Sequence, residues 1–203
     1  MRENRIFWPL SVLLAVLLSG CALKPIADST QFYVLTAGDY QPVSSGEPGE
    51  GIIIGMAKVK VARYLDSPSI LLRERENRIH YSKSHHWAES LENGVARVLM
   101  ETLRKEPAVS EIVTYPNNRN FRSSYDLHVS VLRAEGWIEN GESRVVFQAR
   151  WELEGRDGRI AARNEINDFS IPWDGKDMEK LVSGLSDSIR NLSQQIALEV
   201  EKL

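Results

Sequence analysis

Residues 127–171 read LHVSVLRAEGWIENGESRVVFQARWELEGRDGRIAARNEINDFSI, and this stretch decides the fold. Leu127, Val129 and Val131 alternate with polar residues, the period-two signature of a half-buried strand, and Arg144–Leu153 and Arg159–Ile171 continue the pattern. Between the three runs lie Glu139-Asn140-Gly141-Glu142 and Gly155-Arg156-Asp157-Gly158. Asn-Gly and Asp-Gly supply the positive φ values that tight hairpin turns need. Three strands joined by two such turns predict an antiparallel meander.

C-terminal to the meander the period changes from two to about 3.6. Met178, Leu181, Leu185, Ile189, Leu192, Ile196 and Val200 form one apolar stripe, the mark of an amphipathic helix. Asp174 is the expected N-cap, Asp177 suits the positive end of the helix dipole, and Trp173 with Met178 fits a hydrophobic staple. A helix from Gly175 to Lys202 would be about 42 Å long, enough to cross a sheet. Such a stripe ordinarily packs on a core; a groove for a partner helix is the sharper alternative.

N-terminal to the meander, Glu111–Tyr115 reads as a short strand, and Trp87, Leu91, Val95, Val98, Leu99 and Leu103 recur at helical steps up to Pro107. Ser69–Arg73 and Arg78–Ser82 are strand candidates around the polar turn Glu74–Asn77. Ile52–Val61 reads as a strand whose alternation changes phase near Lys58, where a bulge would fit. Gln31–Thr36 is a further strand, followed by a loop over Gly38–Gly51. That loop contains GEPGEG, but it is acidic, lacks a lysine and precedes a strand, so it is not a phosphate cradle. Four strands, a helix, four strands and a helix predict an α/β (α+β-like) fold: a mixed, largely antiparallel sheet covered by two long helices in a single domain.

With 203 residues, 42% of them hydrophobic, the chain can build a core without metals or disulfides. A formal net charge of -3 gives no basic footprint for nucleic acid, and no nucleic-acid partner is expected. The single cysteine, Cys21, excludes an intrachain disulfide and Cys-rich zinc sites. It stands at the end of an N-terminal segment in which Arg2 and Arg5 precede the apolar run Ile6–Leu18. That run is short of the roughly 20 residues a membrane span needs and has the order of a secretory signal peptide.

Leu18-Ser19-Gly20-Cys21 resembles the lipobox of bacterial lipoproteins; a cleaved signal peptide with an incidental thiol is the plainer alternative. The resemblance implies cleavage before Cys21, a diacylglycerol on its sulfur and a fatty acid such as palmitate on the new amino terminus. Two or more acyl chains make attachment stable where one is marginal. Ala22 follows the cysteine, whereas an Asp there would resemble an inner-membrane retention signal. The expected location is therefore the periplasmic face of the outer membrane. Residues 1–20 read as signal peptide, 21–30 as a lipidated tether and 31–203 as the folded domain. Ala22–Thr30 reaches only about 30 Å even fully extended, which keeps the domain near its membrane.

The sequence offers no catalytic constellation. His80, His85, His86 and His128 lack metal-ligand spacing, and adjacent His85 and His86 cannot both face one side of an element. Val182-Ser183-Gly184 only weakly echoes a nucleophile elbow and lies within the terminal helix stripe. No catalytic residue, metal site or cofactor is expected. Trp87, Trp137, Trp151 and Trp173 read as core or sheet-face residues. What stands out is Tyr64-Leu65-Asp66-Ser67-Pro68 at a strand end, which is either a packed turn or a contact loop.

Several segments in order resemble the PqiC-like (YmbA-like) auxiliary lipoproteins of ABC-type, MCE-associated transport systems. They are the lipobox at Cys21, QFYVLT at 31–36, VKVARYLDSPSILL at 59–72, His86–Leu91 with Val95–Leu99, Val145–Leu153 with Trp151, and Ser193–Ala197. Family members commonly carry Pro where Ala62 stands, and Arg and Pro where His86 and Ser90 stand. The resemblance implies a non-enzymatic outer-membrane lipoprotein that docks a periplasmic MCE protein and helps move lipid between membranes. It also admits a homo-oligomeric ring, and it makes Tyr64, Leu65 and Asp66 candidate partner-binding residues. A lipoprotein cofactor for an envelope enzyme, such as a peptidoglycan synthase, is the alternative.

Overall fold

A computed structural model describes residues 29–45, 51–114 and 123–203. Cys21, the signal peptide and the GEPGEG stretch lie outside the described residues in whole or in part. The strands are β1 (Gln31–Tyr33), β2 (Ile52–Met56), β3 (Lys60–Val61), β4 (Ser69–Arg75), β5 (Arg78–Trp87), β6 (Val109–Thr114), β7 (Tyr125–Glu139), β8 (Glu142–Gly155) and β9 (Ile160–Pro172). The helices are α1 (Leu91–Leu103) and α2 (Met178–Val200). All nine strands of the described residues belong to one mixed sheet.

The meander is present as read: β7 pairs with β8, and β8 with β9, antiparallel along nearly their whole lengths. The β7–β8 turn has Asn140 at φ 53° and Gly141 at φ 83°, the two left-handed residues a two-residue hairpin of this hand requires. The other edge of β7 is wholly parallel, engaging β2 at Tyr125–Leu127, β3 at Ser130–Val131 and β4 at Gly136–Trp137 in turn. Residues 52–75 thus run beside β7 as one interrupted strand, and the 3-10 turn Arg63–Leu65 is an excursion from it.

The Ile52–Val61 reading becomes two strands, because the phase change near Lys58 breaks the ladder; Ala57 N–H still donates to Leu127 O at 3.1 Å. Trp87 belongs to β5 rather than to the first helix. It pairs with Tyr33 of β1 in parallel register, and its N–H donates to Pro68 O at 2.7 Å. The helix starts at Leu91, where the Ser90 side chain accepts from Asn93 N–H.

The second helix likewise starts later than the sequence predicts. Gly175 has φ +75°, which no right-handed helix tolerates, and Asp177 is the N-cap, accepting from Glu179 and Lys180 N–H. Asp174 instead closes the preceding turn, accepting from Lys176 N–H at 3.0 Å and Asp177 N–H at 2.8 Å. The Lys180 ammonium and these two N–H groups hold its carboxyl below the usual carboxylate range. At 23 residues the helix is about 34 Å long.

The stripe of α2 packs on the sheet, as its periodicity suggests. Gly184 sits against Val145, where a Cβ would come within 2.8 Å of Cγ2, so the Val182-Ser183-Gly184 echo is a helix-on-sheet contact. The two helices meet through Thr102 Oγ1 and Ser193 Oγ, 2.6 Å apart.

A strap over residues 34–45 covers both helices. Leu35, Ala37 and Tyr40 are buried, Leu35 O accepts from Arg97 at 2.8 Å and Thr36 N–H donates to Ser186 Oγ at 3.1 Å. This burial of Leu35 ends β1 at Tyr33. The far end of the strap closes on Glu106, 1% exposed. The Glu106 carboxylate accepts from Tyr40 Oη, from Ser44 Oγ at 2.7 Å, and from Val43 and Ser44 N–H.

Candidate functional site

Two stretches far apart in sequence form one groove of about 370 Å³ between the excursion from β7's edge and the start of α1. One wall is Leu65–Pro68, the other Trp87–Glu92. Trp87 N–H to Pro68 O holds the walls at one end, and Ser69 Oγ to His86 Nδ1 at 3.2 Å braces the same junction. Leu65, Trp87 and Leu91 are buried and give it an apolar base.

Three carboxylates rim the groove. Glu89 is held by Arg97 at 2.5 Å and Glu92 by Lys58 at 3.2 Å. Asp66 is exposed and its carboxylate has no hydrogen bond or ion pair among the described residues. An apolar base with an acidic rim suits an apolar side chain flanked by basic groups.

Tyr64 is half-buried and secures the excursion. A β-bulge takes Leu132 out of register between Val131 and Arg133, and the Leu132 carbonyl accepts the Tyr64 hydroxyl at 2.9 Å. Tyr81 Oη donates to Tyr64 O at 2.8 Å, and the Arg73 guanidinium lies 5.8 Å from the ring centroid. Burial, reinforced by the nearby Glu135 carboxylate, raises the Tyr64 hydroxyl's pKa above its ordinary value. Of the three sequence-predicted contact residues, Tyr64 is thus the brace, Leu65 the base and Asp66 the open rim.

The bulge has a second consequence, which the alternation pattern does not reveal. Leu127, Val129 and Val131 are buried before it and Ala134 after it, so the facing parity switches. Glu135 is nonetheless a fully buried carboxylate, held by Arg73 at 2.5 Å and by Arg133 at 2.6 Å. The Glu135 hydrogen bond raises Arg73's pKa, more than burial lowers it. Beside this network Arg144 stacks on Trp137 at 3.6 Å from the ring centroid. Arg133 and Glu135 two apart in a strand were the available signal; Arg73 could be joined to them only by the fold.

The histidines are dispersed. Tyr33 Oη lies 2.9 Å from His85 Nδ1, His86 meets Ser69, and His128 Nε2 is 3.3 Å from Glu154. Among the described residues no group of three or more His, Cys, Asp or Glu is placed to hold a metal ion. No helix among them is long and apolar enough to cross a membrane.

A family model described as ABC-type transport auxiliary lipoprotein component matches residues 33–197. Among solved structures, protein XCC0632 from Xanthomonas campestris is 16% identical and superposes with a TM-score of 0.69, over 83% of this chain and 93% of that one. An uncharacterized protein is 15% identical, with a TM-score of 0.62 over 84% of this chain and 98% of that one. At these identities the likeness is one of fold. No curated protein matches this sequence.

Proposed function

Because the chain belongs to the family of ABC-type transport auxiliary lipoprotein components, we propose that it is the outer-membrane lipoprotein of an MCE-associated lipid transport system. Cys21 carries the acyl chains, and the domain docks a periplasmic MCE protein at the acid-rimmed groove. The observation that carries the docking assignment is the groove itself: it joins 59–72 and 86–91, two of the segments on which the family resemblance rests. Asp66, the unengaged carboxylate, steers a basic partner segment, Leu65 contributes to the apolar base, and Tyr64 holds the loop that carries both. ATP hydrolysis belongs to other subunits, since the sequence contains no Walker A motif. Self-association into a ring would present several grooves to one partner assembly and raise avidity.

The test is affinity capture of the tagged full-length protein from detergent extracts, with Cys21→Ser and Asp66→Lys beside it. Capture of an MCE protein, lowered about tenfold by Asp66→Lys, is expected, as like-charge juxtaposition in an interface is costly. Capture of a peptidoglycan synthase in its place would move the assignment to the envelope-enzyme alternative. Cys21→Ser leaves the domain folded and moves it out of the membrane fraction; continued membrane fractionation would remove the lipid anchor from the account.

A further inference from the structure

Among the described residues the most exposed large apolar side chain is Phe32, 67% exposed, and Val34, two residues on, is 46% exposed. Both stand at the root of the tether: Phe32 is the middle residue of β1, an edge strand whose one sheet neighbour is β5. Its ring is tilted against His86 of β5, with centroids 5.9 Å apart. The neighbour Tyr33, by contrast, turns inward and bonds His85 and Gln31. An aromatic left mostly open on a short edge strand gains little from burial in the isolated domain.

We propose that Phe32 and Val34 form a membrane-contact patch that inserts into the headgroup region of the bilayer holding the Cys21 lipid. This rests on the lipid anchor assigned above. The occupant follows from chain length: from Cys21 to Phe32 the chain can span at most about 36 Å, so the bilayer surface is always within reach of β1. Aromatic and aliphatic side chains at the headgroup level add favourable transfer free energy to that of the acyl chains. The acyl chains supply attachment and the patch supplies orientation, laying β1 and the adjoining end of β5 against the membrane. Ala88 N–H donates to Tyr33 O at 2.9 Å, and Ala88 lines the groove. A docked partner is therefore held close above the same membrane surface.

The experiment uses the full lipidated protein in vesicles of phosphatidylethanolamine and phosphatidylglycerol. Cys21 is the only cysteine, so Val34→Cys or Ile166→Cys provides a single free thiol for a nitroxide label; Ile166 is a remote control, 61% exposed on β9. At position 34 the label is expected to be at least about threefold less accessible to an aqueous nickel chelate than at 166, as interfacial insertion excludes it. Adding Phe32→Ser should restore access. Vesicle-bound protein with equal access at both positions, or shielding unaffected by Phe32→Ser, overturns the patch alone. Shielding that persists in the Cys21→Ser protein without vesicles assigns the patch to a second copy and overturns the membrane contact. Protein that fails to float with vesicles removes the lipid anchor, and the proposal with it.

Discussion

Among the described residues no cation pairs with Glu106, yet it is buried at the end of the strap. Its charge is balanced instead by donated hydrogen bonds from Tyr40, Val43 and Ser44. Charge-assisted bonds of this kind are roughly twice as strong as neutral ones, and removing the acceptor leaves buried donors unsatisfied. Glu106→Ala is therefore expected to cost about 3 kcal/mol in urea unfolding. Tyr40 gives the matching pH dependence. Burial first, and then the hydrogen bond to Glu106, pushes its hydroxyl pKa far above its ordinary value. A raised folded pKa means that the unfolded chain loses the proton first. The contribution to stability is thus complete below about pH 10, the ordinary tyrosine value, and falls as pH rises beyond it. Tyr33 and Tyr64 shift in the same direction, so the wild type should lose stability steeply in that range and Tyr40→Phe less steeply. Equal slopes in urea titrations from pH 8 to 11 would contradict this assignment. At the groove, Tyr64→Phe deletes the bond to Leu132 O and the hydroxyl's contact with Arg73, and should cost about 1 kcal/mol.

Elements were readable where local chemistry alone sets them. The meander turns follow from Asn140-Gly141 and Asp157-Gly158, and the α2 stripe from its period. Boundaries failed where tertiary bonds compete with local signals. Trp87 fits the α1 stripe as well as the strand, and β1 pairing decides for the strand. Asp174 caps as well as Asp177, and only the positive φ of Gly175 excludes the earlier start. The groove was half legible: the Tyr64–Pro68 loop was conspicuous, but no periodicity says that it faces Trp87–Glu92. Close packing of elements yields its own test at Gly136 on β7. A Cβ there would lie 2.8 Å from both Leu72 Cδ2 and Trp173 Cζ3 and would also crowd Leu181. Gly136→Ala should cost roughly 1–3 kcal/mol through overpacking, read from the chemical denaturation midpoint; an unchanged midpoint would mean that α2 slides freely over the sheet.

At the scale of the whole molecule the strap decides how the segment preceding β1 and the fold are joined. A domain whose sheet and helices closed on themselves would tolerate loss of everything before β2. Here, the first described residues enter the sheet as β1, and the following ones cross both helices, burying Leu35, Ala37 and Tyr40 and supplying the donors to Glu106. Burying a leucine alone is worth about 1.5–3 kcal/mol, and the Glu106 bonds add a comparable amount. The total reaches the lower end of a typical domain's stability, about 5–15 kcal/mol. Deleting residues 31–45 should therefore leave a chain without a cooperative urea transition and with raised dye binding to exposed apolar surface, a larger effect than any single substitution above. The same reasoning makes the proposed anchor segment continuous with the core: a pull on it would be borne first by β1, whose ladder is three residues long, and then by the strap. A deletion that retained a sharp transition would show that the helices are covered by the sheet alone, and the strap would then be only a linker that happens to lie on the surface.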